Sequence, residues 1–276
     1  MRRADTDSPP PRNFAGTGRE PAVLWKERSD MKDFSVKYPV VFGILMILVS
    51  FIAAGILTAL LSGTGMSSDT AAAVGRILIG VLLLFLFRGL FPRGTAGKGL
   101  RWGLVALVFV LWNILYHLMS GYGFAGGGVW GTAFVIALAP AIFEEVLFRG
   151  ILLGKLRANG QSPMTAILVS AGLFALMHLT NAVSGQFATV LVQVCYAFVV
   201  GLLFGAVYLK SGDLVSAMLF HGLVDFSSHL FTGDPEQSAW WVLALFGVML
   251  LLVAVYAIRI TPKEDAALPV STEPIE

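Results

Sequence analysis

Eight apolar stretches, at about residues 40–61, 71–87, 102–120, 130–155, 164–180, 187–209, 214–231 and 239–259, set the terms on which this chain can fold. Each approaches the roughly 20 apolar residues that an α-helix needs to cross a hydrocarbon core about 30 Å thick. In such a core the backbone must satisfy its own hydrogen bonds, which restricts spans of this length to helices. The connections, among them SGTGMSSDT, FPRGTAGKG, SGYGFAGGG, TNAVSG and TGDPEQS, carry turn chemistry and leave no room for a soluble domain. The expected fold class is all-α, a polytopic membrane helix bundle of about eight transmembrane helices. Residues 37–261 form the bundle, and residues 1–36 and 262–276 read as flexible tails. Composition agrees: 57% of residues are hydrophobic and 13% charged, against about 25% charged in soluble domains. The first apolar run starts near residue 40 and is too long for the apolar region of a signal peptide, so none is expected.

Charge assigns the sides. Of nineteen lysines and arginines, all but Arg76 fall in the tail before the first span, in the second and sixth connections, around the end of the fourth span, or after the eighth. The remaining connections have none. By the preference of basic residues for the cytosolic face, both termini are expected in the cytosol of a cell-membrane protein. The net charge of +2 is small and the basic residues are scattered without aromatic interleaving, so no nucleic-acid partner is expected. The single cysteine, Cys195, excludes an internal disulfide and reads as a buried, inert thiol in an apolar helix.

Ionisable groups within spans are costly, and each is a functional candidate until explained. Arg76, near the expected end of the second span, can snorkel to an interface. His117 and His229 fall close to span ends, where a polar ring costs little. Glu144 and Glu145 resist that explanation, being roughly 21 Å along the helix from Trp130. So do His221 and Asp225, four apart on one helical face in FHGLVDF, and His178 in FALMHLTN. Glu145 and Arg149 have the spacing and order of a favourable helical ion pair. Glu144, about 100° further around, is free to face other groups.

These residues could form a buried polar network that ties helices together. Their number exceeds what a helix contact requires. An acid, two imidazoles and a further acid from three spans also supply what peptide hydrolysis needs, namely a base for water, stabilisation of the oxyanion and an acid for the leaving amine. Water would need a cavity between spans four, five and seven. Ser170, Ala171, Gly172 and Ala175 make span five lean enough for irregular close packing.

Glu-Glu-x-x-x-Arg (Glu144, Glu145, Arg149), Phe-x-x-x-His (Phe174, His178) and His-x-x-x-Asp (His221, Asp225), in this order on successive spans, resemble the signature of the CAAX-processing and bacteriocin-processing (CPBP, or Abi) intramembrane proteases. The likeness covers about residues 130–231, and the eight-span plan is similar to that of the type II CAAX prenyl endopeptidases. The resemblance implies that Glu144 and His178 activate water, that His221 and Asp225 bind the oxyanion, and that Glu145, Arg149 and Phe174 support the site. It leaves open a metal-dependent or a metal-free mechanism. Glu144, His178, His221 and Asp225 include ligands zinc accepts, yet no His-Glu-x-x-His motif is present, and four ligands would leave no obvious general base. The metal-free reading is preferred and no cofactor is favoured.

Two features complicate the match. Position 225 is Asp where the eukaryotic enzymes tend to have Asn, and an ionised carboxylate cannot donate to an oxyanion. Asp225 must be protonated, orient His221 or bind metal. His178, counted from Pro163, falls roughly 10 Å nearer the outer surface than Glu144 unless span five starts in the cytosol, capped by Ser162. The expected function is an intramembrane endopeptidase acting on a peptide or protein at the bilayer. The rivals are a catalytically idle adaptor or immunity protein of the same family and a proton-coupled transporter, the latter disfavoured by the lack of a convincing internal repeat.

Overall fold

The computed structural model describes residues 34–183, 187–232 and 240–263; the expected tails fall almost entirely outside that range. Among the described residues seven helices are long and apolar enough to cross a membrane: α1 (Pro39–Ser62), α2 (Ser68–Leu86), α3 (Leu100–Met119), α4 (Gly127–Ala158), α5 (Pro163–Val183), α6 (Phe187–Ser211) and α8 (Trp240–Ile260). Between the last two, α7 spans Leu214–Ser228, 15 residues. The chain is thus an all-α polytopic bundle. Its only strands among the described residues are β1 (Gly123–Phe124) and β2 (Phe231–Thr232), which pair antiparallel and tie the α3–α4 connection to the end of α7.

At about 22 Å, α7 is shorter than the full span expected for 214–231. Its start is set inside the protein. Asp213 is completely buried and caps the helix, its Oδ1 accepting from Ser216 N at 3.1 Å. Its Oδ2 accepts from Gly99 N at 2.9 Å and from the Ser216 hydroxyl. Thr95 Oγ1 donates to Gly212 O at 2.8 Å. The α2–α3 connection therefore folds over the beginning of α7. Gly99 permits the closure, because a Cβ there would stand 2.9 Å from Ser216 Cβ, and Gly212 takes the left-handed conformation at φ +70°.

The centre of the bundle is α4 with α6. Half of the apolar stretch of α4 and 61% of that of α6 are buried, against 11% in α8. Large apolar side chains such as Val49, Leu251 and Leu252 cover the outside, the inverse of a water-soluble surface and a match to lipid. Cys195 shares that outward face; it is exposed, which corrects the expectation of a buried thiol.

Within α4, regular helix runs over Trp130–Glu145 with Pro140 inside it. The backbone then widens into a π-helical stretch over Val146–Leu153, every residue of which is buried. π-Helical turns are rare and concentrate at functional positions. Ser170 of α5 donates to Phe148 O in this stretch at 2.8 Å, supplying a carbonyl partner where the ladder is disturbed. The small residues of span five do permit close packing: a Cβ at Gly201 of α6 would stand 3.0 Å from Ala171 Cα.

Candidate active site

The two glutamates sit where regular helix gives way to the π-helical stretch. Glu145 and Arg149 are fully buried and joined, Nη1 to Oε1, at 2.8 Å, the pair their spacing predicts. The guanidinium also lies over the faces of Phe174 at 4.5 Å and Phe204 at 5.8 Å. Aromatic faces attract a desolvated cation, and the absence of a side chain at Gly201 leaves room beside Nη2. Phe174 thus holds Arg149 from one side while its ring edge meets His178 and His221, at 4.9 and 5.9 Å between centroids.

His221 is the meeting point of the carboxylates. Its Nδ1 lies 2.9 Å from Glu145 Oε1, the same oxygen that accepts from Arg149. An ionised carboxylate only accepts, so in that state His221 carries its proton on Nδ1. Its Nε2 faces Asp225 Oδ2 at 3.5 Å and Glu144 Oε2 at 3.9 Å. Phe204 stacks against the imidazole at 5.7 Å, so the ring is held by packing as well as by charge.

His178 stands at the end of the regular part of α5. Its Nδ1 is 2.9 Å from Phe174 O, and because a carbonyl can only accept, Nδ1 is the donor. The neutral ring then keeps the Nε2 lone pair free. Among the described residues His178 makes no ion pair with the carboxylates; the ring of Phe174 links it to His221. The depth conflict is removed by the lengths of the helices. Ser162 caps α5 with Pro163 in its first turn, as expected, its hydroxyl accepting from Thr165 N at 3.1 Å. Glu144, measured back from Ala158, and His178, measured forward from Pro163, both lie roughly 20 Å from the α4–α5 turn.

Side chains outside the three motifs complete the picture. Asp225 also faces a cavity of about 610 Å³ lined by Trp112, Asn113, Gln193, Tyr196 and Phe246 among others. His117 is a structural residue, its Nδ1 2.6 Å from Asn113 O and its ring stacked on Phe231 of β2 at 4.7 Å. His229 is exposed at the end of α7. Arg76 is not at a span end: α2 begins at Ser68, which puts Arg76 about 12 Å inside it. The Glu145–His221 contact and the role of Phe204 had no local sequence signal. The π-helical stretch had only Pro140, nearby and easily read as a simple kink.

Among the described residues no three His, Cys, Asp or Glu side chains form a group able to hold a metal ion. As placed, the donors do not fit the zinc that the family resemblance allows.

Fold and cluster together define a class: a multi-pass membrane protein with carboxylates and imidazoles gathered inside its helix bundle. Residues 126–227 match the family described as Rce1-like, type II CAAX prenyl endopeptidase Rce1-like. That segment contains all three motifs, and over it the chain is similar to this family of membrane proteases. No curated protein and no solved structure matches the chain.

Proposed function

We propose that the protein is an intramembrane endopeptidase in which Glu144 and His178 activate water while His221, oriented by Asp225 and Glu145, stabilises the oxyanion. The observation that carries this reading is the convergence of three carboxylates from two helices on one imidazole, inside an apolar bundle. Glu144 takes a proton from water as the oxygen attacks the peptide carbonyl. The same carboxyl then gives a proton to the departing amine. His178 Nε2, free to accept, shares the water. A doubly protonated His221 donates Nδ1–H to Glu145 and offers Nε2–H to the developing oxyanion. Asp225, at 3.5 Å from Nε2, orients and charges that ring, and the distance supports an orienting role for an aspartate that cannot itself donate.

The aromatic and amide-lined cavity beside Asp225 accommodates the substrate chain in this reading, apolar enough for a peptide drawn from the bilayer and polar enough to pair its backbone. The one-sided distribution of basic residues supports a site opening to the cytosol with both termini on that side. The decisive experiment compares newly formed peptide termini in membranes from cells producing the wild-type chain or Glu144→Gln. Termini that depend on Glu144 are expected, and identical sets from both cells would end the peptidase reading.

A further inference from the structure

Among the described residues Arg76 is the one arginine in the middle of a span that the Glu145–Arg149 arrangement does not explain. It stands about 12 Å from the Ser68 end of α2 and about 15 Å from the Leu86 end, the middle of the helix. An arginine at that depth is costly even by insertion scales, and the helix ends are too far for its side chain to snorkel to headgroups. Ala73, Arg76, Gly80 and Leu83 share one face by their three-four-three spacing, and Ala73, Gly80 and Leu83 are all buried. A Cβ at Gly80 would stand 3.4 Å from Phe143 Cα, so this face packs on α4 at the residue preceding Glu144. Arg76 is one turn further along and partly buried. Its charge reaches Asp225 electrostatically. Among the described residues it has no hydrogen bond and no ion pair.

An unpaired guanidinium beside the site, on the packed face of its helix, is a vacant receptor for an anion. Lipid phosphates lie at the interfaces, about 12–15 Å away along the helix, whereas a substrate chain that occupies the cavity beside Asp225 and continues past that residue toward α2 comes within reach. We infer that Arg76 is a substrate-docking residue that pairs with a carboxylate of the bound peptide, either its C-terminus or an acidic side chain. A planar guanidinium suits that group because it can donate two parallel hydrogen bonds. The inference rests on the peptidase reading for the identity of the ligand, but its test does not require turnover.

The experiment uses the full chain with Glu144→Gln in nanodiscs of zwitterionic lipid, and three fluorescent decapeptides of alanine and leucine. One has a free C-terminus, one is amidated, and one is amidated with a single internal glutamate. The free acid is expected to bind about tenfold more tightly than the plain amide, the discrimination of one charge-assisted contact. Adding Arg76→Gln should erase the difference, and Arg76→Lys should retain part of it. Recovery of tight binding by the glutamate peptide assigns the receptor to carboxylates in general, and no recovery assigns it to the chain terminus. Equal affinity for acid and amide, absence of binding by every peptide, or a preference that survives Arg76→Gln overturns the inference. Failure of wild-type protein to cleave any substrate would instead sink the peptidase reading and leave the binding result standing.

Discussion

The acid at the start of α7 and those gathered around its His221 are of opposite character. At its start, Asp213 has both carboxylate oxygens in hydrogen bonds, to Gly99 N, Ser216 N and the Ser216 hydroxyl. Eight residues on, around His221, Glu145 Oε2 and Arg149 Nε and Nη2 have no hydrogen-bond partner among the described residues, and Asp225 retains a third of its side-chain exposure. A fully bonded buried carboxylate has no capacity left for a visitor, and its energy goes into fixing the helix. A cluster with spare donors, spare acceptors and an opening is a poor brace, because incompletely paired buried groups are expensive. Such surplus is what a reaction site needs. The difference separates the acids that build the fold from those proposed to act.

The sharpest way to break that comparison is Glu144→Gln. Loss of a general base should lower the cleavage rate by about 10²–10⁴-fold, read as initial rates on whichever membrane substrate the comparison of termini identifies. The thermal midpoint in detergent should stay within a degree or two, because Glu144 has no hydrogen bond to lose among the described residues. A folded variant with normal rates would move Glu144 to the structural group.

Arg149→Ala comes next and should register in stability. It leaves Glu145 buried without its cation, a loss of about 3–5 kcal/mol when one partner of a buried pair is removed. A fall in folded yield and in denaturation midpoint is expected, with residual activity in the molecules that do fold. If yield is unchanged while activity vanishes, Arg149 belongs with the chemistry.

Sidedness sharpens the comparison further. In a background of Cys195→Ser, Gln161→Cys in the α4–α5 turn should react with an impermeant maleimide only when the cytosolic face is accessible. Thr64→Cys in the α1–α2 connection should react only from outside. Both positions are exposed. The reverse pattern would invert the orientation argued from lysine and arginine.

Much of this was legible in the sequence for identifiable reasons. Apolar run length exposes spans because lipid leaves the backbone no other option. The Glu145–Arg149 pair follows from helical spacing. Contacts between helices are not written locally, so the meeting of Glu145 with His221, 76 residues apart, had to come from the structure. Errors arose where hydropathy is uninformative. In a membrane the outward face is as apolar as the core, so Cys195 could not be assigned a side. An apolar run continuing past Ser228 made α7 look like a full span, although Asp213 starts it inside the protein. A boundary drawn three residues late placed Arg76 at the end of α2 rather than its middle.

The smallest expected effect tests the other half of the comparison. Asp213→Asn keeps the oxygen that accepts from Ser216 N but can set an amide nitrogen against Gly99 N and the Ser216 hydroxyl, so one or two bonds are lost. Losing a cap contact and leaving a buried donor unpaired should cost about 1–2 kcal/mol, seen as a modest drop in denaturation midpoint. The rate per folded molecule should be unchanged, because about 10 Å of helix separates Leu214 from His221 and the packing of Phe204 and Phe174 holds the imidazole independently of the cap. A rate loss beyond about tenfold, with the fold retained, would mean that the cap sets the height of His221. The division between bracing and reacting acids along α7 would then have to be abandoned.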